Sequence, residues 1–405
     1  MFRYEIKKIF SDKGNRIALL ILFFTMIAAS FMLIHGIQYI DEKGGSRHGL
    51  SAVKKLKEEK IKWEGEVDEE LLTRVIHENE RINGGADVRT QSLEEQNINF
   101  SQKQGFDDIR QLINYAFSGG FREYDYHTVD TVDENEVGSL YEKRVNNLSD
   151  WLDTEGRDMF SQRERDYLIA RYKDLRTPFF YTYFDGWKYF FEYLGTIISA
   201  VALIVGFLVA NIFPAEFRSK ADSIFFSSYH GRGKAVRSKI FSGYFIATTV
   251  YWISLLLYGG ILFAVFGFSG AHCPLQLEFW KSFFNITFLQ GALLCVTGGY
   301  VGSMFIASLT MWVSAKSKSR TIGALIPFLL ILIPSFLNNI SALEKILGVF
   351  PNRLLEINRI LQSFNLYSLG GSIHSPLPIL FGLYIPLSVV LCFCICSVYK
   401  KITVY

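Results

Sequence analysis

Six stretches of the chain alternate with polar segments, and each is almost free of charge and long enough to cross a bilayer. They run over residues 17–40, 190–213, 240–268, 283–313, 321–337 and 378–398. A span needs about 20 apolar residues, because the hydrocarbon is about 30 Å thick and a helix rises about 1.5 Å per residue. No Asp, Glu, Lys or Arg falls deep inside any of the six, and Glu192 stands at the edge of the second. The pattern predicts an all-α membrane protein of six transmembrane helices. The first stretch is too long for the apolar part of a signal peptide, and Ala28-Ala29-Ser30 lies in its middle, not after it. It reads as an uncleaved first span.

The polar block between the first two spans, residues 41–187, is long enough for one small domain. Leu50 to Ile61, the amphipathic stretch opening at Val67, Asp107 to Phe117 and Trp151 to Leu175 read as helices, and Gly84-Gly85 and Gly119-Gly120 as turns. The expected division is an amphipathic N-terminal helix over 1–16, the first span, a helical domain over 41–187, and the remaining five spans over 188–405. Leu343 to Leu347 and Leu354 to Phe364 read as short helices separated at Pro351.

Charge orients this layout. The segment before the first span, the loops after the second and fourth, and the tail hold sixteen Lys and Arg against four acids. The positive-inside rule places them, and both termini, in the cytoplasm of a multi-pass cell-membrane protein. The 41–187 block carries 31 acids and 21 bases, a net of −10 hidden within a whole-chain charge of +3, and falls outside. It contains no cysteine, so no disulfide staples it.

Catalytic signatures are lacking. Gly231-Arg232-Gly233-Lys234 has neither the spacing nor the Ser/Thr of a phosphate loop, and His77-Glu78 lacks the second His of a zinc motif. No metal site, no cofactor of the chain's own and no nucleic-acid partner is expected. Ion-coupled carriers usually need ionisable groups at bilayer depth, and none is present. Phe179, Phe180, Tyr181, Tyr183 and Trp187 form an aromatic cluster just before the second span. It reads either as interface anchoring or as a substrate portal.

After the second span comes Pro214-Ala215-Glu216-Phe217-Arg218, continuing through Asp222, Ser223, Ser227 and Ser228 to Gly231-Arg232, with a basic run to Lys239. Phe217, Ala221, Ile224, Phe225 and Ser228 recur at helical spacing, which predicts one amphipathic helix over 214–232 ended by Gly231 and Gly233. With the basic amphipathic N-terminus and the insert after the first span, this segment resembles the permease subunit of ABC-2 type transporters. The proline frequent in that family before the basic residue is replaced here by Tyr229-His230-Gly231. The resemblance implies the membrane half of an ATP-driven exporter. Glu216, Arg218, Asp222, Ser223, Ser227, Ser228, Gly231 and Arg232 would form a coupling helix on a separate ABC ATPase that binds ATP and Mg. A second permease chain, identical or not, would complete the path, and residues 339–378 would form short external helices lining the exit. A peptide, an antibiotic or a lipid-like molecule suits the aromatic cluster. The rival reading from the residues is a membrane sensor or scaffold whose outer domain binds a ligand without transport.

Overall fold

The computed structural model describes all residues except 42, 85–91, 338–339, 341–342 and 401–405. The chain is helical throughout, with three two-stranded antiparallel ribbons as its strands among the described residues. Helix α1 (Phe2–Ser11) leads into α2 (Lys13–Gly36). The polar block contains α3 (Leu50–Ile61), α4 (Glu69–Asn83), α5 (Leu93–Lys103), α6 (Asp107–Phe117), α7 (Leu140–Asp153) and α8 (Gln162–Lys173). Then come α9 (Asp185–Val209), the short α10 (Ala215–Arg218) and α11 (Asp222–Ser227), α12 (Lys234–Phe266), α13 (Phe288–Ser317) and α14 (Arg320–Leu337). Three one-turn helices follow, α15 (Glu344–Leu347), α16 (Asn352–Leu355) and α17 (Ile357–Ile360), before α18 (Pro376–Lys400). Helices α2, α9, α12, α13, α14 and α18 are long and apolar enough to cross a membrane.

Most of these helices begin earlier than the apolar runs, because a helix continues through polar first turns that find partners; α13 instead opens later, at Phe288 and not Phe283. Helix α12 opens at Lys234, not Ile240, and α9 at Asp185, not Phe190. Helix α13 is the centre of the bundle and packs on α18, α9, α14 and α12. Its Gly298 and Gly302 let α16 and α17 lie directly on its backbone. A Cβ at Gly298 would collide with Ile357, and one at Gly302 would stand 2.8 Å from Leu355.

Two helices of the polar block, α3 and α6, coincide with the sequence expectation. The stretch from Trp151 to Leu175 is divided instead between the end of α7 and the whole of α8. The Ser161–Glu164 capping box starts a new helix there. Helix α4 ends at Gly84 in the left-handed conformation, φ 65°, and Gly85 lies outside the described residues. Pro351 caps α16, so that break falls where proline predicts it, but the second expected helix, Leu354 to Phe364, is instead divided at Glu356 between α16 and α17.

Candidate functional site

The end of the bundle where the chain begins carries the basic loops, and its charges are gathered into two linked clusters. Asp12 caps α2 by accepting the Asn15 N–H at 3.2 Å. Arg320, in the first turn of α14, donates to Asp12 at 2.9 Å and to the Asn15 side chain at 3.1 Å. Burial pushes the Asp12 carboxyl up, but the Asn15 N–H and Arg320 outweigh it and hold the group below its ordinary value. Arg218 stands 3.9 Å from the same carboxylate.

Deeper lies Lys239, on the first turns of α12, with no exposed side-chain surface. Its ammonium donates to Glu216 at 2.9 Å, to Glu5 at 3.0 Å and to the Ile212 carbonyl at 3.0 Å. Lys8 donates to the same Glu216 oxygen at 2.8 Å. Four charged side chains, Glu5, Lys8, Glu216 and Lys239, thus tie α1, α10 and α12 together. Burial opposes ionisation of Glu216, yet Lys239 and Lys8 hold its pKa below the usual value. The other Glu216 oxygen is buried without a partner.

The segment predicted as one amphipathic helix is two. Lys220 adopts φ 54° between α10 and α11, and this break resets the helical phase. The buried side chain of the second piece is therefore Phe226, packed on Phe217 at 5.9 Å and on Tyr399 at 5.6 Å, whereas Ile224 is 74% exposed. Helix α11 stops at Ser227, before either glycine; Gly233 instead caps α12. Gly231 is needed because a Cβ there would collide with the Phe225 carbonyl.

Arg218, Ser223, Ser227, Ser228 and Arg232 are exposed, Asp222 is half-buried, and Glu216 and Gly231 are buried. The outward residues share one ledge, which Glu216 anchors from within. Tyr229, 96% exposed, stands on that ledge as well. An aromatic residue in an otherwise polar turn was its only signal in the sequence.

At the opposite end, the aromatic cluster is largely core. Phe179, Tyr181, Tyr183 and Trp187 are buried, and only Phe180 faces outward. Gly65 and Glu66 pair with Tyr181 and Phe180 in a two-residue ribbon, and the Tyr141 hydroxyl accepts the Phe179 N–H at 2.8 Å. Alternation along this ribbon turns the rings at 179, 181 and 183 inward, leaving them little surface to offer a passing molecule.

Around these rings lies a second buried ionic cluster that sequence reading missed, because its members come from four distant segments. Lys60 of α3 contacts Asp185 of α9 at 2.6 Å and Asp108 of α6 at 2.9 Å. Tyr181 donates to Asp108 at 3.1 Å, and Lys188 reaches Glu278 at 3.5 Å. Burial disfavours the Lys60 charge, but Asp108 and Asp185 overcome it and raise its pKa well above the ordinary value. Arg144 donates to the Trp280 and Ser282 carbonyls, each at 2.9 Å, and clasps the loop between α12 and α13. Among the described residues, no three His, Cys, Asp or Glu side chains are gathered as a metal site. No family model, curated protein or solved structure matches the chain.

Proposed function

We propose that the chain is the membrane subunit of an ATP-driven exporter, with the basic end of its bundle in the cytoplasm. The observation that carries this reading is the ledge of Arg218, Ser223, Ser227, Ser228, Tyr229 and Arg232. It is exposed at its rim and riveted at its root to α1 and α12 through Glu216 and Lys239. A ledge built this way can receive a push from a docked ATPase and pass it to several spans at once. The basic loops favour the cytoplasmic placement. ATP and Mg would be held by the partner, and a second permease chain would complete the path.

The test is copurification of the full-length protein from its own cells, followed by ATP turnover in membranes. Arg232→Glu and Ser223→Glu should leave the protein inserted while binding and turnover of the ATPase fall sharply, since a like charge at a docked contact costs several kcal/mol. Full retention of both would remove the coupling role. The rival reading, a sensor or scaffold, draws on the buried joint of Lys60, Asp108 and Asp185, which fixes the polar domain rigidly to α9. A purified complex without any ATPase subunit would favour it.

A further inference from the structure

A cavity of about 570 Å³ lies at the basic end between α1 and the first turns of α12, lined by Met1, Phe2, Lys234, Arg237, Ser238 and Phe241. Its two cations are exposed, and neither makes an ion pair among the described residues. The acid facing α12 from α1, Glu5, is already engaged by Lys239 on the inner side. The Ser238 hydroxyl is buried without a partner. The cavity therefore offers two cations to an anion, with no carboxylate lining it.

Its other wall is aromatic. Residues 234, 237, 238, 241 and 245 follow one stripe of α12 at three- and four-residue spacing, passing from charge to hydrocarbon. Phe241 is 67% and Phe245 50% exposed, and Phe2 meets Phe245 edge-on at 5.5 Å. The stripe continues into one of the six helices long and apolar enough to span. A free anion would leave these rings uncovered, and a zwitterionic lipid would find no carboxylate for its ammonium.

We propose that this cavity binds an anionic glycerophospholipid. Its phosphate would sit at Lys234 and Arg237, and one acyl chain would lie along Phe241 and Phe245. The lipid would close the seam between α1 and α12, the same seam that Glu5 and Lys239 close from within. This holds whether the protein exports a substrate or relays a signal.

Native mass spectrometry of the full-length protein in mild detergent, titrated with phosphatidylglycerol or phosphatidylcholine, tests it. Phosphatidylglycerol should bind more tightly. Lys234→Gln/Arg237→Gln should lower its affinity roughly thirtyfold, as two surface cations warrant, without changing phosphatidylcholine. Lys43→Gln/Lys54→Gln, in the polar block, should retain the preference. Where the double variant is not recovered folded, Arg237→Gln alone should cost roughly fivefold. An unchanged preference in the cavity variants, or an equal loss in the polar-block pair, overturns the proposal. So does full displacement of the lipid by inorganic phosphate, which would make the cavity a plain anion site.

Discussion

Lys239 and Glu216 meet at 2.9 Å, the lysine wholly buried and the carboxylate nearly so. A buried pair adds little net stability, but losing the lysine leaves the buried Glu216 with only the part-exposed Lys8 as counter-charge, at a cost approaching the about 3–5 kcal/mol of a stranded charge. Lys239→Met should therefore lower the thermal midpoint of the purified protein far more than Lys239→Met/Glu216→Gln. Equal losses in the single and double variants would show that the pair is solvated.

Loss of Lys60 should act on the joint at the other end. Burial works to raise the Asp108 pKa, but Lys60 and Lys188 outweigh it and hold the carboxyl below its ordinary 3.8. A depressed carboxylate contributes stability above its unfolded pKa and loses it as pH falls through the folded value. Lys60→Met removes the main counter-charge, so acid loss should begin at a higher pH. Hydrogen exchange over α3 and α6 should rise first, ahead of α13. Uniform exchange across both regions would contradict a local role.

Lys103 works in the opposite sense. Burial, helped by Arg110, lowers its pKa to about 8, while its side chain bonds Asn83. Between pH 8 and its unfolded value of 10.5 the folded state holds fewer protons than the unfolded one, so stability rises with pH. The gain is on the order of 3 kcal/mol across that window. Lys103→Met should abolish the difference in midpoint between pH 7.5 and pH 10 that this group supplies. A variant with the same pH slope as the parent would assign the rise elsewhere.

Gly231→Ala should loosen the ledge without unfolding the bundle. The new methyl would meet the Phe225 carbonyl, so the turn after α11 must open. Trypsin should then cut at Arg232 and Lys234 several times faster than in the parent, while the spans stay intact. Unchanged cleavage would mean the turn adapts.

Orientation is open to chemical labelling. In a cysteine-free background, Asp158→Cys should react with an impermeant thiol reagent in intact cells and Ser223→Cys only after lysis. Both positions are exposed. The reverse pattern would invert the proposed sidedness.

The spans were legible because a long uncharged run has few alternatives in a helical protein. Their starts were less so, since Lys239 and Asp185 enter helices on the strength of partners more than 20 residues away. The ledge was legible as a segment but not as a shape. Nothing in the composition of Ser219-Lys220-Ala221 marks Lys220 as left-handed, and that single φ moved burial from Ile224 to Phe226. The aromatic cluster announced itself as a feature of the boundary. Its inward turn depended on the ribbon with Gly65 and Glu66, more than a hundred residues earlier.

The clasp of Arg144 on the Trp280 and Ser282 carbonyls has a mechanical consequence. Through α7 it grips the connection between two spans, Lys60 grips the head of a third, and Phe364 stacks on Phe121 just upstream of a fourth. The block is thus less a bead on a string than a keystone set over the bundle. Any tilt of one span at that end must drag its neighbours or break a desolvated contact. Motions of the bundle should accordingly be largest at the opposite rim, hinging about this cap as the ribs of an umbrella move about its crown.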